Sequence, residues 1–191
     1  MQNINQVCMT ALVTETSMEK SGEITWTAIK ASPFYGDTVN ESTIRIVLHE
    51  MVTERKGRAL APGDIVLFWG KLSYYADLGI TLYADSFLIL SKIKKETDVQ
   101  LRSLVCLAYS DIPSNITLLG KVNNVADHQI VLKINRPTPV RGEIKDYDII
   151  AIPTEYPSRY HRLDYVLFTG KIKNDKLQGE LVNLTPKKNE N

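Results

Sequence analysis

The sequence predicts a mainly β protein, two tandem five-stranded Greek-key barrels, on three grounds: a self-repeat, strand-type alternation in both copies, and very little helix-compatible sequence. The repeat is the most specific of these. Asp64-Ile65-Val66-Leu67-Phe68-Trp69-Gly70-Lys71-Leu72 recurs as Asp164-Tyr165-Val166-Leu167-Phe168-Thr169-Gly170-Lys171-Ile172; six of nine positions are identical and a seventh exchanges Leu for Ile. A looser echo, in position and apolar character, lies upstream between Asn5-Gln6-Val7-Cys8-Met9-Thr10-Ala11-Leu12-Val13 and Asn115-Ile116-Thr117-Leu118-Leu119-Gly120-Lys121-Val122. Two matches in the same order make duplication a better account than chance.

In the first copy, Val7–Val13, Ile24–Lys30, Thr43–Leu48, Ile65–Leu72 and Ile80–Leu90 are rich in β-branched and aromatic residues, with polar or Gly-containing stretches between them. Within Thr43–His49, Ile44, Ile46 and Leu48 fall on one face and Arg45, Val47 and His49 on the other, the pattern of a strand with one buried side. Glu50–Leu60 is the helix-compatible stretch, ended by Pro62-Gly63. The second copy repeats the plan with Asn115–Val122, Gln129–Asn135, Asp148–Ile152, Tyr165–Lys173 and Lys176–Leu184, and Pro157 interrupts its Glu155–Leu163 insertion. Five strands with an insertion between the third and fourth is the plan of the small OB barrel. The expected boundaries are a first barrel at 1–91, a linker at 92–113 whose Leu101–Tyr109 is apolar enough to pack between the barrels, a second barrel at 114–186 and a short tail at 187–191.

The 191 residues hold 23 basic and 22 acidic side chains. Residues 1–95 carry 10 of each, so any site for a polyanion must come from local segregation of charge. No apolar run reaches the length of a membrane span and no secretory leader is evident, so no membrane association is expected. Cys8 and Cys106 each stand in apolar sequence and read as buried thiols, and a cytoplasmic protein is expected. His49, His128 and His161 fit no metal-ligand spacing. The Gly-Lys pairs at 70–71, 120–121 and 170–171 lack the flanking pattern of a phosphate loop and sit in β-type runs. Neither an enzyme activity nor a cofactor or metal is expected.

Several segments resemble the single-stranded-DNA-binding protein family of bacteria and phages. Asn115–Val122 is similar to that family's opening strand, which ends in Gly-Arg or Gly-Lys and an aliphatic. Leu132-Lys133-Ile134-Asn135-Arg136-Pro137 is similar to its second strand, and Pro62-Gly63-Asp64 through Gly70-Lys71-Leu72 to its fourth. The resemblance implies OB barrels that bind single-stranded DNA, with RNA also acceptable, and an assembly in which two double-barrel chains form a homodimer. The closing residues Leu184–Asn191 lack the family's acidic tip, so a general partner-recruiting tail is not expected.

Single strands are held by rings on which bases stack and by cations along the backbone. In the first copy the candidates are Trp26 and Lys30 on the second strand, Phe34 and Tyr35 in the loop after it, Arg45 on the third, Trp69 and Lys71 on the fourth, and Tyr74 and Tyr75 in the loop after that. In the second copy they are Lys133, Arg136 and Arg141, with no acid between Ile130 and Gly142, and Arg159 and Tyr160. Each has a plainer reading: Trp26 as barrel filling or dimer seam, the Phe34-Tyr35 and Tyr74-Tyr75 pairs as loop anchors, Trp69 as a plug between barrels, the cations as an ordinary solvated surface. Phe68 and Phe168 are expected in the core. The competing function is a protein-interaction module with little direct DNA binding, taking a primosome, helicase or mobile-element component, such as a replication or helicase partner, on the same aromatic surface.

Overall fold

The structure, a computed structural model, describes residues 3–21, 24–35, 38–39, 42–49, 52, 59–75, 78–93, 114–135 and 147–185. Among these residues eleven strands are formed: β1 (Ile4–Ser21), β2 (Ile24–Tyr35), β3 (Thr38–Val39), β4 (Ile44–His49), β5 (Asp64–Tyr75), β6 (Gly79–Lys92), β7 (Asn115–Ala126), β8 (Gln129–Asn135), β9 (Tyr147–Pro153), β10 (Tyr165–Lys173) and β11 (Lys176–Asn183). Alternation explains them locally. On β9, Asp148, Ile150 and Ile152 point inward while Tyr147, Ile149 and Ala151 point out. Pro157–Arg159 forms a single 3-10 turn in place of a regular helix. Most of Glu50–Leu60, all of Leu101–Tyr109, and the tail lie outside the described residues. No helix among them is long and apolar enough to cross a membrane.

In the first barrel β1 pairs with β2 and β5, β5 with β6, and β2 with β4; a parallel β4–β6 ladder closes the ring. The second barrel repeats the antiparallel pairings: β7 with β8 and β10, β10 with β11, and β8 with β9. There, among the described residues, β9 is laddered only to β8 and packs against β11 without a ladder. The two barrels join through an antiparallel β1–β7 ladder that pairs Ile4–Cys8 with Leu119–Asn115 and sets Val7 opposite Ile116.

Register shows how deep the duplication runs. A bulge falls after Val13 on β1 and after Val122 on β7, where each long strand bends from one partner to the next. The amide of Gly63 donates to the Val13 carbonyl and that of Leu163 to the Val122 carbonyl, both at 2.9 Å. Asp64 accepts from the Ala61 amide and Asp164 from the His161 amide, again both at 2.9 Å. Val13 therefore corresponds to Val122 and Val7 to Ile116, so Asn115 stands in the place of Gln6. The upstream echo, read from Asn5 and Asn115, was one residue out of step, because apolar alternation alone does not distinguish neighbouring registers with two-sided burial.

Phe68 and Phe168 are fully buried at equivalent places in one continuous core. The glycines of the Gly-Lys pairs have a packing reason: a Cβ on Gly70 would lie 1.9 Å from the Tyr83 carbonyl oxygen, and one on Gly170 2.3 Å from that of Gln178. Within the first barrel, Asn5 on β1 bonds the Leu72 backbone of β5 in both directions, its Nδ2 donating at 2.7 Å and its Oδ1 accepting at 2.8 Å. Between the barrels, the buried Ser73 hydroxyl on β5 donates to the buried Asp148 carboxylate on β9. The first barrel's packing extends to Ile93, whose amide donates to the Gly63 carbonyl at 2.7 Å.

Candidate nucleic-acid interface

On the first barrel, Trp26, Ala28 and Lys30 project outward from β2 and Arg45 from β4, with Lys30 directly opposite Arg45. Both cations are already paired: the Lys30 ammonium lies 2.8 Å from the Glu15 carboxylate, and the half-buried Arg45 guanidinium is held by Glu19. Trp26 is half-buried opposite Glu19 and His49. Trp69, 38% exposed on the outer face of β5, lies opposite Cys8, whose thiol is pushed up by burial and partly brought back by a hydrogen bond with Trp69. Lys71 is half-buried beside Tyr83. Tyr74 is 47% exposed, whereas Tyr75 is half-buried with its hydroxyl hydrogen-bonded to that of Tyr83 at 2.5 Å.

Phe34 departs from its expected place in an open loop. β2 continues through it, and the ring is only 3% exposed, packed with Leu12, Ile65 and Ile93. It is a core residue of a small satellite cluster and presents no face to a base. Of Tyr35 only the backbone is described, paired with Thr38. Arg136 and Arg141 lie outside the described residues.

The second barrel gathers cations onto rings. The Lys133 ammonium sits 3.4 Å from the centroid of Tyr147, which is 40% exposed, and the Lys121 ammonium sits 5.7 Å from that of Tyr165. Lys133 faces Lys121 across β8 and β7, and Lys121 faces Tyr165 across β7 and β10. The result is an outer band of ring, cation, cation and ring. None of the four side chains has a carboxylate partner among the described residues. A cation over a ring is worth about 0.5–1 kcal/mol at exposed sites, which orders the side chain without neutralising its charge.

At the opposite end of the same barrel, Arg159 lies 4.3 Å from the centroid of Tyr156, which is 54% exposed. Tyr160 is instead a packing residue: its hydroxyl donates to the Leu181 carbonyl at 3.3 Å, and burial pushes its pKa up, against the opposing pull of Arg159. Sequence reasoning missed Lys121, Tyr147, Tyr156 and Tyr165. Lys121 was visible in a Gly-Lys pair set aside as a failed phosphate loop; the three tyrosines carried no pattern of their own. Among the described residues no three His, Cys, Asp or Glu side chains cluster as metal ligands would.

No protein-family model matches the chain, and no curated protein sequence matches it. Solved structures do. The wild-type single-stranded DNA binding protein from Thermus aquaticus superposes with a TM-score of 0.65 at 12% identity, covering 97% of this chain and 95% of that one. A deletion mutant of the same protein gives 0.62 at 14% identity, covering 100% and 99%. The N-terminal domain of PriB from Thermoanaerobacter tencongensis aligns with 46% of this chain and 98% of its own, at 16% identity and a TM-score of 0.40. This chain therefore shares, from end to end, the fold of the Thermus aquaticus single-stranded DNA binding protein.

Proposed function

We propose that this protein is a non-catalytic binder of single-stranded DNA, largely indifferent to sequence, acting in replication, repair or DNA transfer. The observation that carries this reading is the Tyr147–Lys133–Lys121–Tyr165 band. Lysines without a carboxylate partner among the described residues, beside the exposed ring of Tyr147 and the half-buried ring of Tyr165, match what a single strand requires, phosphates on cations and bases on ring faces. The end-to-end likeness to a protein named for binding single-stranded DNA supports the same reading. On the first barrel, Tyr74, Trp26 and Trp69 would supply further stacking faces. Lys30 and Arg45 would engage phosphate only by leaving Glu15 and Glu19; the exposed Lys30–Glu15 pair is worth about 0–1 kcal/mol, little enough to exchange.

Titration with labelled oligo-dT at several salt concentrations tests this. Binding should weaken with salt at a log–log slope of about −0.7 per neutralised phosphate. No mobility shift and no tryptophan quenching at micromolar protein would overturn it. A homodimer carrying four barrels is part of the proposal. Leu67 and Leu88 on the outer sheet face are matched at equivalent places by Leu167 and Val182, with Leu88 and Val182 about half exposed. A monomer in sedimentation would remove that part alone. The competing interaction-module reading is favoured by the neutralised Lys30 and Arg45, and absent DNA binding would leave it standing.

A further inference from the structure

The first barrel closes through a parallel ladder that pairs Ile46 with Leu82, Val47 with Tyr83 and Leu48 with Ala84. In the second barrel the register puts Ile152, Pro153 and Thr154 in the places of Ile46, Val47 and Leu48, and Leu177, Gln178 and Gly179 in those of Leu82, Tyr83 and Ala84. No ladder joins these two rows. The proline supplies a reason. The Thr154 amide donates to the His128 carbonyl at 2.9 Å, on the β8 side. Main-chain groups alternate in direction along a strand, so the nitrogen that β9 turns toward β11 is that of Pro153, which carries no hydrogen. β11 meanwhile continues to Asn183. The Leu181 carbonyl accepts from the Tyr160 hydroxyl on the side away from β10, so Gly179, two residues earlier, turns its amide and carbonyl the same way. Neither group of Gly179 has a hydrogen-bond partner among the described residues.

A hollow of about 590 Å³ lies along this edge, lined by Leu177, Gly179 and Leu181 of β11 and by Tyr156, Arg159 and Tyr160 of the segment after β9. We propose that a partner protein docks here through an extended peptide, added to β11 as a further strand bonded to Gly179, with an acidic side chain on Arg159 and an aliphatic one against Leu181 and Tyr160. An open strand edge calls for main-chain donors and acceptors in a row, which an extended peptide supplies and a sugar–phosphate backbone, having no N–H, does not. Arg159 has no carboxylate partner among the described residues and is ordered over the Tyr156 ring at 4.3 Å. Glu155 is the opposing charge in the hollow and is exposed, so the peptide's acid belongs on the Arg159 side. Leu181 and Tyr160 are only partly buried against the core, which leaves apolar surface for an aliphatic side chain to cover. This docking does not rest on the proposed DNA binding. Pro153 lies six residues along β9 from Tyr147, about 20 Å at about 3.3 Å per residue, so the peptide and a strand on the Tyr147 band need not compete.

The probe is a fluorescein-labelled peptide, Asp-Ile-Asp-Ile-Asp, titrated with the full chain and read by anisotropy. Saturable binding is expected, and replacing every Asp by Lys should weaken it about tenfold or more. Two further peptides carry methyl groups on the Ile amides or on the Asp amides; the one that loses the ladder donors should bind about tenfold or more weakly. Arg159→Glu should reverse the preference between the Asp and Lys peptides, and, the residue being exposed, its thermal unfolding should match wild type. In hydrogen exchange the Gly179 amide should exchange fast in the free protein and about tenfold or more slowly with peptide bound. No saturable binding at about 1 mM peptide, equal binding of both methylated peptides, or a Gly179 amide that stays unprotected would each overturn the proposal. Displacement of the peptide by oligo-dT would assign the hollow to nucleic acid, and dissociation of a dimer by the peptide in sedimentation would assign the edge to a second copy. Either result overturns the proposal and leaves the DNA-binding reading intact, whereas peptide binding without oligo-dT binding strikes that reading alone.

Discussion

The same place in the two barrels has opposite chemistry. In the first, Leu12 on β1 lies between Ser32 and Ile65, and Leu12 and Ile65 are buried with Phe34 under Ile93, the residue just after β6. In the second, the equivalent row is Lys133–Lys121–Tyr165, half-buried and topped by Tyr147. Identical backbone ladders thus carry an apolar seal on one barrel and a cationic, ring-lined surface on the other. Once duplication provides two copies, the outer face of one can serve stability while that of the other stays polar and open. The closed β4–β6 ladder of the first barrel and the open β9–β11 contact of the second follow the same division.

The sharpest way to break this contrast is to attack the seal. Phe34→Ala should lower stability by about 3–5 kcal/mol in urea unfolding, the range for deleting a buried aromatic ring. Protein that remains folded should bind oligo-dT as wild type does, and a loss of affinity with unchanged stability would show that the ring serves a ligand after all. The mirror experiment is on the second barrel. Tyr165→Ala should cost about 1–3 kcal/mol of oligo-dT affinity, read by anisotropy, while its neighbour Lys121→Gln should flatten the salt slope by about 0.7. Equal affinity for all three proteins would place the strand elsewhere. The smallest effect is expected at the turns before β5 and β10. Gly63 has φ +92° and its counterpart Leu163 has φ +81°, a conformation that strains a Leu side chain. Leu163→Gly should raise stability by about 1 kcal/mol, the relief of that strain less the greater freedom glycine has when unfolded. A lower melting temperature would contradict it.

Much of the fold was legible because it rests on period-two burial and on exact repetition. Phe68 and Phe168 declared the core, and the Asp-x-Val-Leu-Phe segment marked the start of the fourth strand in each copy. Less of the site was legible. Lys133 and Tyr74 stood out by residue type and loop position, but Phe34 lay in a Pro-Phe-Tyr-Gly stretch that reads as a turn, and only strand extension and the cover of Ile93 turned it inward. Arg45 and Lys30 read as free cations because their partners, Glu19 and Glu15, are distant in sequence and come near only through the β1–β2 hairpin.

Residue order alone settled where ten of the strands lie, though not how far β2 runs nor that Thr38–Val39 pairs with it, since alternating burial is a property of neighbours along the chain; it also settled that the unit occurs twice. Tertiary structure decided which rings and cations are left open at the surface. Whether a lysine is neutralised or a ring covered depends on atoms brought close from remote parts of the chain, and no local pattern encodes that proximity.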